Sequence, residues 1–288
     1  MNDNLEKKPK RIGAFKEFKI FMTEYVQVIM GKKKDLLISL MFPVLAAAIV
    51  IWIAGENMFV HYDGTKSGSF VIVSAAIWGG LFNSIQTIVK DIKRNYIAGA
   101  RIRCYTASRA FVQFVLCIIQ SAILTLSYVG VAIVYGNELP ETGILTNYPM
   151  VEFYISIFLL MYAADAMGIM ISCLVKKEEA ANVLAPYILI VQLIFSGILF
   201  AMEGMADYIS YVMISRWGME ALGSIANLND LPLKIQMTVP TVPHEFESRF
   251  DSTPEHLLTV WAVLFGFIVV FLLVGNILLH RVSKDTKG

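Results

Sequence analysis

Charge is scarce in this sequence. Asp, Glu, Lys and Arg make up 16% of 288 residues, while 57% are hydrophobic and the mean hydropathy is +0.63. A soluble globular domain is about one quarter charged, so a soluble fold is excluded. Cysteine is rare too. Cys104, Cys117 and Cys173 all fall at cytosolic or intramembrane positions, which leaves no external pair for a disulfide. The four histidines, His61, His244, His256 and His280, are scattered over connecting segments, so no metal site is expected. No GxxxxGK[ST] motif occurs; the chain is not expected to bind ATP, any other cofactor or nucleic acid, nor to be an enzyme. Period-two alternation is absent, which excludes a membrane β-barrel. No internal repeat or low-complexity tract is found.

What the sequence does have is long apolar runs. A bilayer core about 30 Å thick needs roughly 20 apolar residues per helix. Six segments meet that length: 36–55, 69–89, 111–135, 153–175, 182–202 and 257–279. The expected class is an all-α membrane protein with six spans. The net charge of +1 hides an asymmetry. The N-terminus, the strip after span 2, the turn after span 4 and the C-terminal tail hold 9, 6, 2 and 3 Lys/Arg; the other connections hold 1, 0 and 3. By the positive-inside rule the first group faces the cytosol, so both termini lie inside a multi-pass plasma-membrane protein. Residues 1–35 are polar and basic without a small-residue cleavage site, and no cleaved signal is expected.

Before span 1, Ile12, Phe15, Phe18, Met22, Tyr25, Val26 and Ile29 recur at three- and four-residue steps, while Lys16, Glu24 and Gln27 lie off that face. This is an amphipathic helix for the inner leaflet, with Lys32, Lys33 and Lys34 at the lipid headgroups; packing on a partner helix is the other reading. Pro43 and Pro186 sit in the first halves of spans 1 and 5, where a kink is tolerable. Gly79, Gly80, Ala164 and Gly168 permit close helix contacts. Between spans 5 and 6, residues 203–256 begin with a semi-apolar helical stretch and continue into a Pro- and acid-rich one. That order fits a helix re-entering the membrane from outside, followed by an exposed loop. The expected organisation is a cytosolic region 1–35, a transmembrane domain 36–280 and a cytosolic tail 281–288.

Two acidic features bear on chemistry. Glu178 and Glu179 at a helix N-terminus oppose the macrodipole rather than form a protease pair, since no helical His has matching spacing. Asp165 is the one acid within a span and is therefore a functional candidate. A structural hydrogen bond or protonation in place is the rival reading.

"CLVKKEEAANVLAPYILIVQLIFSGILF" at 173–200, "ISRWGMEAL" at 214–222 and "IVKD" at 88–91 resemble the membrane domain of type-2 ABC exporters of the G subfamily, the white-type and multidrug half-transporters. The likeness is greatest to bacterial permeases that work with FHA-linked ATPases, where an acidic pair, an alanine, a proline and "FSG" recur in this order. The resemblance implies a permease subunit of an ATP-driven exporter moving an amphipathic or hydrophobic substrate by alternating access. It implies two partner ATPase subunits carrying ATP and Mg, and a second permease protomer, with a homodimer preferred, in contact with membrane lipids. The basic strip, about 90–105, would be the coupling helix, with Lys90, Asp91, Lys93, Arg94, Arg101 and Arg103 docking on the ATPase. Ala76, Gly79 and Asn83 on span 2 and Leu189, Ile190 and Leu193 on span 5 would line the substrate path. Ile198 and Leu199, beyond the small pair Ser196 and Gly197, would form the external gate. The alternative is a membrane protein without an ATPase, either an ion-coupled carrier or a structural partner.

Overall fold

The computed structural model describes residues 12–85, 87–89, 101–175, 177–200, 202–231 and 246–285. Helices and loops account for all of them. The helices are α1 (Ala14–Gly31), α2 (Lys33–Ala54), α3 (Tyr62–Ser84), α4 (Ile102–Tyr135), α5 (Pro149–Leu174), α6 (Glu178–Ile194), α7 (Met205–Ser210), α8 (Ile214–Ile225) and α9 (Pro254–Asp285). Among the described residues, four segments are long and apolar enough to cross a membrane: Tyr62–Val89, Ile102–Tyr135, Pro149–Leu174 and Pro254–His280. They contain the expected spans 2, 3, 4 and 6. Expected span 1 falls on α2, which is 22 residues long.

Expected span 5 differs. Its helix α6 stops at Ile194, and Ser196–Phe200 follow without helical structure. Gly197 adopts a φ of +82°, and a Cβ there would stand 2.1 Å from Nη1 of Arg249. The left-handed backbone and the arriving guanidinium end the helix here, although hydropathy runs on to Met202.

α5 is the central helix. Buried side chains surround its whole circumference, and it packs against α3, α4, α8 and α9. Burial on all sides explains why its apolar residues show no preferred face. Its small residues let backbones meet. A Cβ on Gly80 of α3 would lie 2.1 Å from the carbonyl oxygen of Met161 and 3.0 Å from Cβ of Ala164. A Cβ on Gly168 of α5 would lie 2.8 Å from the carbonyl oxygen of Leu81. Such contacts drive helix association in lipid, where burial of apolar surface supplies little.

Each end of the bundle has its own apolar lock. At the α1 end, Phe21, Ile88, Tyr105, Ile169, Cys173 and Leu279 pack together, with the Phe21 and Tyr105 rings edge-to-face at 5.6 Å. At the opposite end Phe59, Tyr128 and Phe153 form a ring triad with centroids 5.3 to 5.9 Å apart, and the Tyr128 hydroxyl bonds Ser69 at 2.8 Å.

The connections at that second end are held by buried and partly buried polar groups. The Glu152 carboxylate, fully buried, accepts the backbone N–H groups of Ile144, Leu145 and Thr146 at 2.7 to 2.8 Å. Arg216 of α8 donates to Glu220 at 2.8 Å and to Asp207 at 2.6 Å, and its guanidinium lies 3.7 Å from the Tyr211 ring centre. Glu247 accepts from the Tyr62 hydroxyl and, at 3.0 Å, from Lys66, and so straps the segment before α9 onto the start of α3.

The adjacent glycines of α3 have unequal roles. A Cβ on Gly79 would meet only the flexible end of Met161 at 3.6 Å and Phe42 at 3.9 Å. We expect Gly80→Val to cost about 3 kcal/mol or more through overpacking and to lower the thermal midpoint of the detergent-solubilised protein. Gly79→Ala should leave that midpoint unchanged.

The strap should respond to acid. Burial raises the Glu247 carboxyl, but the Tyr62 and Lys66 hydrogen bonds and the Lys66 and Arg249 charges prevail and hold it below the usual carboxylate range. A depressed carboxyl contributes stability that is present above its unfolded value and lost as pH falls through its folded value. Amide exchange of residues 246–253 should therefore accelerate below about pH 4, near the unfolded glutamate value. Glu247→Gln should remove that step.

Candidate transport path and coupling face

α4 brings polar residues into an apolar helix at regular spacing. Arg109, Gln113, Cys117 and Gln120 recur at four- and three-residue steps, and all four are buried. They meet Tyr25 of α1, Ser39 of α2 and Asn83 of α3. Asn83 donates to Gln120 at 2.6 Å and accepts from the Ser39 hydroxyl at 3.0 Å; Gln120 donates in turn to Ser39. Gln113 donates to the Tyr25 hydroxyl at 2.7 Å and to the Asn83 carbonyl at 2.8 Å, and Tyr25 bonds Thr87 at 3.1 Å. The Arg109 guanidinium is fully buried, 4.0 Å from the Tyr25 ring centre and 4.9 Å from that of Tyr105.

This seam joins four helices through side chains that water cannot satisfy in a bilayer. Sequence reasoning assigned a functional role only to Asn83 of it, placing Tyr25 on the amphipathic face and counting Arg109 with the surface strip. The signal was available in the periodicity of polar residues along an otherwise apolar run.

The expected path residues separate into two groups. Gly79 and Asn83 border one cavity of about 320 Å³ between α2 and α3, together with Asp35, Ser39, Phe42 and Trp78. Ala76 and Leu189 do not reach a free surface; both are fully buried in the chain's own core. For Ala76 the reason is helical period: it shares a face with Gly80 and Ser84, which is the face that packs on α5. On α6, Ala181, Ala185, Leu189 and Gln192 point inward, and Gln192 accepts the Ser215 N–H at 3.2 Å. Val183, Tyr187 and Ile190 form the exposed stripe opposite, and Leu193 is half-buried between the two.

Ile198 and Leu199 lie beyond the end of α6 rather than in a continuing helix. Ile198 packs partly buried against the main core, and Leu199 is 53% exposed. Gly197 accommodates Arg249 of the same chain.

Of the expected coupling residues, Lys90, Asp91, Lys93 and Arg94 fall outside the described residues. Arg101 and Arg103 stand at the start of α4. Arg101 pairs with Glu17 of α1 at 3.6 Å, and its backbone N–H also donates to that carboxylate. The amphipathic helix is thus tied to the C-terminal end of the basic strip. Of the expected apolar face of α1 only Tyr25 is buried, together with Phe21, which was not assigned to it; Ile12, Phe15 and Val26 of that face are exposed.

Asp165 is fully buried on α5. Neither carboxylate oxygen has a hydrogen-bond partner among the described residues; the nearby Ser84 hydroxyl donates to its backbone carbonyl at 2.6 Å.

Residues 92–226 match the family described as ABC-2 type transporter. The chain is also 21% identical, over 281 residues, to the ABC transporter ATP-binding/permease protein Rv1747 of Mycobacterium tuberculosis. That alignment covers 91% of this chain and 30% of that protein. The chain therefore spans less than a third of the length of the curated relative it matches. The similarity to ABC-2 type transporters runs from the basic strip through α4, α5 and α6 to the end of α8, the stretch that holds the central helix, one side of the polar seam and the exposed stripe of α6.

Proposed function

We propose that this chain is the membrane permease of an ATP-driven exporter of the G-subfamily kind. In this reading α2 and α6 complete a set of six crossings with both termini cytosolic, and α7–α8 re-enter from outside. Two protomers, a homodimer by preference, enclose the path, and ATP and Mg bind to an ATPase docked on the basic strip. The observation that carries the reading is the family match over residues 92–226. The length of α4 supports a coupling role. α4, 34 residues long, extends about 50 Å from the strip through the seam to the far end of the bundle. A push on the strip would shift α1 through Glu17 and α3 through the seam together.

The path assigned here is narrower than the sequence alone implied. Gly79 and Asn83 border it from α3, Ile190 faces it from the exposed stripe of α6 and Leu193 from the edge of that stripe; Ala76 and Leu189 support it from behind. Ile198 and Leu199 close it externally from the loop after α6. The cargo is amphipathic or hydrophobic. An ion-coupled carrier is the competing reading, and the Asp165 carboxylate, without a hydrogen-bond partner among the described residues, is the observation in its favour.

Purification from native membranes followed by reconstitution tests the two. A P-loop ATPase should accompany the chain, and export should require ATP hydrolysis. Export driven by a proton gradient alone, abolished in Asp165→Asn, would establish the carrier instead. Within the ATP-driven system, Arg101→Glu should lower the ratio of export to hydrolysis about fivefold or more. Its level in the membrane should stay unchanged.

The path has its own test in the same vesicles. Gly79→Trp should fill the cavity beside Asn83 and abolish export while dimer assembly and basal hydrolysis persist. Ile198→Ala combined with Leu199→Ala should raise hydrolysis per substrate exported. Parental rates in both variants would place path and gate elsewhere.

A further inference from the structure

The loop after α6 carries the seat of Arg249. A Cβ on Gly197 would lie 2.1 Å from Nη1 of Arg249 and 3.3 Å from its Cζ, so the guanidinium occupies the volume a side chain would fill. Gly197 also has a φ of +82°, a conformation glycine adopts freely. The next residue, Ile198, packs partly buried against the main core. We propose that Arg249 is a positioning residue for the external gate: its side chain pins loop 195–200 in the closed arrangement and ties that loop to the start of α3. The proposal rests on the reading of Ile198 and Leu199 as the gate.

The backbone around Arg249 is held firmly. The Asn229 amide donates to the carbonyls of Glu247 and Phe250 at 3.0 and 3.1 Å and accepts the Glu247 N–H at 3.1 Å. Phe250 is buried with Leu228 and Leu231, and the His256 ring bonds the Arg249 carbonyl at 3.0 Å. The Arg249 side chain is held lightly by comparison. Its one ion pair among the described residues, to Glu247, spans 3.7 Å and is partly exposed. Such a pair holds weakly. Arg216 differs, since it pairs with two carboxylates at 2.6 and 2.8 Å. A pin needs a fixed base and a tip that fits closely but is lightly bonded, and Arg249 has both. Glu247 in turn accepts from Tyr62 and, at 3.0 Å, from Lys66, both on α3. A shift of α3 would draw the Glu247 carboxylate from Arg249 and loosen the tip on Gly197. A cation beyond the C-terminal end of α6 also suits the helix dipole. Capping alone, however, predicts no dependence on Glu247.

The test uses the full chain in detergent carrying Ile198→Cys, reacted with a maleimide and read at position 198 by peptide mass spectrometry. Arg249→Ala should speed labelling there about fivefold or more without moving the thermal midpoint. Arg249→Lys keeps the charge beside Glu247 and should restore slow labelling. Glu247→Gln should speed labelling by itself and add nothing to Arg249→Ala, because both changes release the same contact. Unchanged labelling in Arg249→Ala overturns the proposal. So does a rise matched by a fall in the thermal midpoint, which marks general loosening. Additive effects of the two changes overturn the link to α3. Export by the same variants in vesicles separates the pin from the gate reading. Faster labelling with parental export per ATP hydrolysed keeps the contact and refutes the gate reading. Slow labelling throughout refutes the pin and leaves the gate to the Ile198 and Leu199 variants.

Discussion

Where Gly80 meets Met161, α3 lies so near α5 that a methyl group would fall 2.1 Å from a carbonyl oxygen. That approach sets the positions of the other elements. In a bilayer the hydrophobic effect does not drive helices together, so backbone proximity and satisfied polar groups must do so. Gly168, one helical ridge further along, repeats the contact from the α5 side. Gly275 of α9 approaches the α5 backbone at Met170 in the same way, with a would-be Cβ 3.3 Å from its Cα. α5 is thereby enclosed, with α3, α4, α8 and α9 packed around it.

With the centre so constrained, the two ends of the bundle are built differently. The end bearing Glu152, Arg216 and Glu247 is cross-linked by charges and backbone N–H groups brought from separate segments. Breaking the Glu152 or Arg216 contacts would leave a buried charge without its partner, whereas Glu247 and Lys66 are only partly buried. The α1 end has its polar groups gathered instead in the seam, where neutral amides and hydroxyls predominate and cavities remain on either side. A neutral amide network can exchange partners more readily than a buried ion triad, because no full charge is stranded in the exchange. Compliance is therefore expected at the α1 end, next to the basic strip, and rigidity at the other.

Apolar run length was legible because it reports bilayer thickness. It placed the helices carrying spans 2, 3, 4 and 6, yet it missed their ends: α3 starts at Tyr62 rather than 69, and α4 at Ile102 rather than 111. The helical hydrogen-bond ladder continues through polar turns, to which hydropathy is blind. The same blindness carried span 5 past Gly197, where backbone conformation rather than composition ends the helix. Facing was less legible than location. Ala76 and Leu189 looked equivalent to Gly79 and Ile190 in composition; packing on α5 for the first, and of α6 on α3 and α8 for the second, distinguishes inner from outer faces. Arg109 escaped for a related reason. Counted among its basic neighbours it is a surface charge, but the period of Gln113, Cys117 and Gln120 places it on the buried side of α4.

The pair Gly79 and Gly80 shows how one local motif serves two purposes. Successive residues on a helix point about 100° apart, so a double glycine cannot present both positions to the same neighbour. Gly80 is bare because α5 occupies the space a side chain would need. Gly79 is bare although space is available, for its nearest potential contact is a flexible methionine end at 3.6 Å. Packing therefore explains the first glycine and does not explain the second. The open side of Gly79 is continuous with Asn83, one turn away, whose side chain belongs to the seam. α3 thus has one face committed to the immobile centre and an adjacent face bordering empty volume and an amide network. A helix anchored along one edge and free along the next can transmit a shift at its seam end to the wall of the cavity without unpacking the core.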